Sequence, residues 1–162
     1  MERILDVGCG SHKMKNAIGI DITPNTRADI IADITTGFPI KTEAFNTVYC
    51  NHVLEHIDNT LFIMNELERI LKKSGRLVIR CPFYNSFGAF VDPTHCHYFS
   101  EKSFTEYFTD GGDMHRIGAT SFKLIKVDLK YNPKLWFIPF KKKLRFFIPN
   151  LCTEFLVELE KV

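Results

Sequence analysis

The chain has 162 residues and a mass of 18.8 kDa, enough for one domain that hides roughly 70% of its unfolded surface. Hydrophobic residues at 45% and charged residues at 25% describe ordinary globular protein, and a formal charge of +2 is too small to argue for nucleic acid as a partner. Five cysteines (Cys9, Cys50, Cys81, Cys96, Cys152) form no CxxC pair; with no leader and no membrane-length apolar run to read, the expected setting is the reducing cytoplasm.

Residues 3–7, 17–21, 29–34, 45–51 and 76–82 read as short buried strands. Their nearly unbroken apolar character suits a parallel sheet covered on both faces. The first strand stops at Gly8-Cys9-Gly10, where the missing Cβ atoms let the backbone turn sharply and approach a ligand. A plain tight turn would look the same, and the third glycine of a dinucleotide fingerprint is absent. Only residues 8–16 separate the first strand from the second. That is shorter than a helical crossover needs, so a turn or loop is expected in its place. Asp21 ends the second strand, where a carboxylate can accept both hydroxyls of a ribose. Asp33 ends the third, where it can receive an adenine amino group. One such aspartate is usually a cap; the ordered series at one sheet edge points to a ligand.

Residues 59–73 read as the one clear helix, with Ile63, Leu67, Ile70 and Leu71 at helical spacing. Asp58 or Asn59 would cap its start, Lys72 and Lys73 suit its negative end, and Gly75 stops it. A loop, "FVDPTHCHYFS", follows the fifth strand. Residues 122–131 and 153–162 then alternate like an antiparallel pair at the sheet edge, joined by the aromatic and basic stretch 132–150. The whole chain, 1–162, reads as one α/β domain with right-handed crossovers.

The stretches "ILDVGCG", "IGID", "ADIIADI", "FNTVYCNHVLEHI" and "LERILKKSGRLVIRCPF" resemble the class I S-adenosylmethionine-dependent methyltransferases, in that family's order. The resemblance implies a Rossmann-like seven-stranded sheet, mostly parallel, with an antiparallel C-terminal hairpin. It implies S-adenosylmethionine as cofactor, with Asp6, Gly8 and Gly10 in the turn at its methionine part and Asp21 with Ile22 at the ribose. Asp33 and Ile34 would meet the adenine, and Asn51 with His52 the sulfonium. The shortened first crossover departs from the family, as does the start of the chain at the first strand, where relatives often carry a helix. Some similar small methyltransferases encoded with polysaccharide genes carry a D-P-T-H stretch like that at Asp92–His95.

For a hydroxyl acceptor a base must take the proton, a contribution of about 10²- to 10⁴-fold, and histidine as a residue type exchanges protons near neutral pH. His95 is the first candidate and His56 the second. Asp92 and His97 can equally shape the loop, and Asp92 with both loop histidines could hold a metal, although none is expected. The Asn-Pro-Pro-aromatic run of nucleic-acid amino-methylating enzymes is absent, so a small-molecule or saccharide hydroxyl is the expected acceptor. A rival reading takes His52, Glu55 and His56 as an H-x-x-E-H zinc site of a hydrolase; another takes the chain as a cofactor-binding protein without catalysis. For 132–150 the expectation is a homodimer contact covering apolar surface left by the missing helix, with a peripheral membrane contact as the alternative.

Overall fold

Seven strands form one mixed sheet in the computed structural model, which describes residues 2–110, 112 and 122–162. They are β1 (Ile4–Val7), β2 (Ile18–Asp21), β3 (Ile30–Ile31), β4 (Phe45–Asn51), β5 (Leu71–Pro82), β6 (Phe122–Tyr131) and β7 (Cys152–Lys161). Their spatial order is β3-β2-β1-β4-β5-β7-β6. The first five run parallel, and β7 pairs antiparallel with both β5 and β6. This is the expected Rossmann-like sheet with its closing hairpin. The chain reverses its direction across the sheet between β1 and β4, and open α/β sheets bind ligands beyond the strand ends at such a point.

No helix joins β1 to β2, as the short spacing required. Asp6 holds the replacing loop down from beneath: it is 4% exposed and accepts the Met14 N–H at 2.8 Å. Burial pushes its carboxyl up, opposed by the Met14 N–H and the Lys13 charge. Lys13 in turn grips Asp29 at 2.7 Å, so the middle of the loop is held by two adjacent residues.

The long helix, α1 (Thr60–Ile70), starts at Asn59, whose side chain accepts the Phe62 N–H at 3.0 Å, and it buries Ile63, Met64, Leu67 and Ile70. It ends three residues earlier than expected. Leu71 already has an extended backbone (φ −75°, ψ 138°) and pairs with Phe45. Lys72 and Lys73 therefore belong to β5, in an irregular stretch between the Phe45–Leu71 and Thr47–Arg76 pairings. Ser74 there has φ 57°, and a Cβ on Gly75 would meet the Lys72 carbonyl oxygen at 2.7 Å.

The second correction concerns the faces of the sheet. A right-handed crossover from β1 to β2 runs opposite to one from β4 to β5, so their helices belong on opposite faces. α1 covers its face together with the core around Val48, Leu77, Ile79 and Val157. On the other face no described helix is laid down. That face presents Thr47, Tyr49, Arg76, Arg80, Leu156 and Glu158, with Arg76 paired to Glu158 at 2.7 Å. Among the described residues, helix covers one face of the sheet rather than two. The second face is mostly polar among those residues, with Val78 and Leu156 as apolar members, so it presents little apolar surface of the kind that motivated the expected second subunit.

Segment 132–150 sits at the carboxyl edge of the parallel strands, because β6 ends and β7 begins there. It is tied to the chain after β5. Tyr84 donates to the Phe146 carbonyl at 2.8 Å, Asn85 to the Arg145 carbonyl at 2.9 Å, and the Asn150 N–H to the Asn85 carbonyl at 3.0 Å. Arg145 also forms a buried ion pair with Glu101. All five cysteines are free thiols, and only Cys96 is exposed.

Candidate functional site

The strand ends β1, β2 and β4 and the turn after β3 surround a cleft of about 380 Å³, within the size range of small-ligand sites. Gly8, Asp21, Ile22, Asp33, Ile34, His52 and His56 line it, with Ile20, Ala32, Thr35, Val53 and Ile57. The two glycines contribute differently. Gly8 has φ 63° and a Cβ on it would strike Val53 at 2.5 Å, so it lets the turn pack on the chain after β4. Gly10 has φ 51° with open space where a Cβ would go, and its N–H donates to Asp21 at 2.8 Å. Asp6, Gly10 and Asn51 stand outside the lining, and Gly10 touches it through its hydrogen bond to Asp21.

Asp21 accepts the Gly10 N–H on one oxygen and the Thr23 N–H on the other, each at 2.8 Å. These two bonds aim the carboxylate and leave lone pairs on both oxygens, since an ionised carboxylate has about four acceptor sites. Asp33 caps the turn Ile34–Thr36 through one oxygen, which takes the Thr35 N–H and hydroxyl at 2.9 and 2.7 Å. Those bonds, the hydroxyl first, hold its carboxyl below the usual range. Two carboxylates spaced along the cleft, with Ile22, Ile34 and Ile57 as apolar walls, fit a nucleoside: acceptors for sugar hydroxyls and an amino group, and a dry wall for the base.

β4 delivers the next residues. His52 has φ 54°, a strained value for a side-chain-bearing residue, and its N–H is fixed to the Arg80 carbonyl at 2.9 Å. Its ring lies between two carboxylates, Glu55 and Glu154, at 3.2 Å each. The Glu55 hydrogen bond chiefly raises its pKa above the ordinary imidazole value, against the effect of burial. The turn Leu54–His56 then projects His56.

Loop residues 92–97 are stitched over this turn by the Glu55 carbonyl, which accepts the Cys96 N–H at 2.9 Å and the His97 N–H at 3.2 Å. His56 and His95 consequently meet edge to face, with ring centroids 4.7 Å apart. Their tautomers follow from their partners. His95 Nδ1 is 2.8 Å from the Ala89 carbonyl, which can only accept, so Nδ1 carries the hydrogen and Nε2 keeps a lone pair. His56 Nδ1 is 2.9 Å from the Thr94 hydroxyl, whose own hydrogen goes to Asp92 at 2.7 Å. His56 Nδ1 therefore donates as well, and its Nε2 lone pair is also open. Asp92, held below its usual range by the Thr94 hydroxyl first, anchors this relay.

A second cavity, of about 540 Å³, adjoins the first and shares His52 and His56 with it. His95 and Asp92 line it with Phe87, Val91, Lys130, Asn150 and Glu154 among others.

His97 turns away from the cavity, its Nε2 donating to the Asp58 carbonyl at 2.9 Å, so Asp92, His95 and His97 do not assemble as ligands. Among the described residues the set able to hold a metal is Glu55, His56 and His95, whose ligand atoms lie within 4.8 Å of one another. The H-x-x-E-H reading fails on geometry, because a short turn replaces the long helix it needs. Reasoning from sequence also passed over Thr94, although an Asp followed two residues later by Thr is the signature of a side-chain-closed turn. Lys130, Asn150 and Glu154 carried no local signal at all.

A family model described as a methyltransferase domain matches residues 1–112. Over 89 residues the chain is 37% identical to an uncharacterised protein of Methanocaldococcus jannaschii, covering 47% of this chain and 39% of that relative, so the chain spans less than half the relative's length. A SAM-dependent methyltransferase from Archaeoglobus fulgidus superposes with a TM-score of 0.69 at 15% identity, over 99% of this chain and 86% of that one. One from Methanosarcina mazei gives 0.65 at 16% identity, over 99% and 92%. The cyclase SpnF gives 0.67 at 15% identity, over 99% and 74%, so likeness at this level speaks for the fold alone.

Proposed function

The chain belongs to the methyltransferase-domain family, enzymes that use S-adenosylmethionine, and from that premise we propose that its acceptor is a hydroxyl of a small molecule or saccharide, with His95 as the base. The observation that carries this reading is the pair of adjoining cavities that meet at His52 and His56. One has the acids and apolar walls that suit a nucleoside, and the other has open imidazole lone pairs. S-adenosylmethionine supplies a methyl carbon already activated by its sulfonium, so the residues have two remaining tasks.

The first is alignment. Asp21 and Asp33 fix the nucleoside end, and the close packing of Gly8 on Val53 holds the turn after β1 against the chain after β4; holding reactants in line can lower a barrier by several kcal/mol. The second is the proton. His95 Nε2 would take the proton that the acceptor hydroxyl gives up as it is methylated, S-adenosylhomocysteine being the leaving group. The Ala89 carbonyl then stabilises the imidazolium through Nδ1–H. His56, backed by Thr94 and Asp92, stands 4.7 Å from the His95 ring and can take the same role for a hydroxyl presented from its side. The second cavity suits a polyhydroxylated acceptor: Asp92, Asn150, Lys130 and Glu154 offer hydrogen bonds, and Phe87 and Val91 an apolar side.

The test uses radiolabelled methyl donor against a panel of hydroxylated acceptors. His95→Ala should lower kcat by about 10²- to 10⁴-fold while donor affinity stays unchanged. Full activity in the His95→Ala/His56→Ala double variant would remove both histidines from the chemistry and with them the hydroxyl reading.

A further inference from the structure

Segment 132–150 leaves four aromatic side chains in solvent: Trp136, Phe137, Phe140 and Phe147 are 64 to 80% exposed. At roughly 200 Å² each they present on the order of 500 Å² of apolar surface, at or above what monomers usually tolerate without a function. The facing lip of the second cavity adds Phe87, Phe90 and Val91, which are 59 to 70% exposed. Residues 145–150 join the segment to this lip. The Phe87 N–H donates to the Asn150 side chain at 3.3 Å, alongside the Tyr84 and Asn85 bonds to the same segment. Asn150, Phe87 and Val91 line the cavity that holds His95, so the segment adjoins that cavity through its last residues.

Its charge identifies the occupant. Residues 132–150 contain Lys134, Lys141, Lys142, Lys143 and Arg145 and no acid. Arg145 is buried against Glu101, whereas Lys134, Lys142 and Lys143 are exposed. In a two-fold dimer the same patch meets itself, so a second copy would set these lysines against their own kind. An anionic lipid surface supplies the opposite charge, and aromatic rings beside lysines match the interfacial layer of a bilayer. No described helix is long and apolar enough to cross a membrane, so the contact is peripheral.

We infer that segment 132–150 and the 87–91 lip seat the protein on an anionic membrane surface, so that the acceptor is an amphiphile whose hydroxylated head group reaches the His95 cavity from the bilayer. The identity of the acceptor rests on the methyl-transfer reading; the seating does not.

Trp136 is the only tryptophan of the chain and reports the contact directly. Vesicles of equal parts phosphatidylglycerol and phosphatidylcholine should shift its emission to the blue and sediment the protein. Pure phosphatidylcholine should do so far more weakly, and added salt should weaken binding. Lys142→Glu/Lys143→Glu, on exposed positions and checked for an unchanged melting temperature, should weaken partition by at least ten-fold, since each lysine is worth roughly five-fold near an anionic surface. Absence of a shift with the anionic vesicles overturns the inference. So does a lipid-free homodimer in sedimentation that shields Trp136 from quencher. Vesicle binding is read without turnover, so its failure leaves the methyl-transfer reading standing. Binding without transfer to any head-group hydroxyl strikes the acceptor reading alone.

Discussion

Replacing Arg145 by methionine tests how the segment beside the second cavity is held. The Arg145 and Glu101 side chains are each 8% exposed and pair with one another. The Arg145 guanidinium also lies over the Phe146 ring, 4.1 Å from its centroid. Arg145→Met keeps much of the volume but leaves the Glu101 carboxylate buried without its partner, with one oxygen that already has no hydrogen bond. Breaking a buried pair from one side costs about 3–5 kcal/mol, which for a chain of this size lowers the melting temperature by roughly 6–20 °C. Adding Glu101→Met removes the stranded charge and should recover most of that loss. Chemical denaturation of the wild type, the two single variants and the double variant measures the coupling. A single-variant cost below about 1 kcal/mol, the worth of an exposed pair, would show that the pair is not the buried tie described here.

Asp21→Ala should weaken S-adenosylmethionine binding by about 1.5–3 kcal/mol, the usual loss for charged hydrogen bonds, as read by calorimetry. Glu66 grips Arg69 at 2.6 Å and the Phe38 N–H at 2.9 Å, and the Arg69 hydrogen bond first holds its carboxyl below the ordinary value. A depressed carboxyl stabilises the fold above its unfolded pKa and loses that contribution as pH falls through the folded one. Glu66→Gln should therefore cost about 1–3 kcal/mol at pH 7, and the stability curves of variant and wild type should converge below the ordinary glutamate range. If the histidine lone pairs act as bases, chelators should leave turnover unchanged and added Zn²⁺ should inhibit by occupying Glu55, His56 and His95. Turnover lost to a chelator and restored by a divalent ion would make those three residues a working metal site instead.

What could be read from the sequence was whatever depends on neighbours along the chain. The five parallel strands, the two glycines and the aspartates at the strand ends follow from apolar runs and their punctuation. Leu71 misled the placement of the helix end because it continues the apolar period of α1 while its backbone has already turned extended. In "FNTVYCN" the inward residues Phe45, Val48 and Cys50 are separated by Thr47 and Tyr49, and Tyr49 disguises the polar face by counting as aromatic. The meeting of His56 with His95 depends on backbone bonds from residues 96 and 97 to the Glu55 carbonyl. No local pattern encodes a contact across some forty residues. Lys130, Asn150 and Glu154 reach the second cavity only because β7 returns antiparallel to β5.

The central claim is that donor and acceptor meet where the two cavities share His52 and His56. A crystal structure with S-adenosylmethionine bound tests it most directly. The account predicts the nucleoside between Asp21 and Asp33 and the methyl carbon at the junction, within roughly 6 Å of Nε2 of His95 or His56. That distance allows about 3 Å for attack by an oxygen and about 3 Å for its hydrogen bond to the base. A methyl carbon directed away from both histidines, with the second cavity closed off from it, would contradict the account.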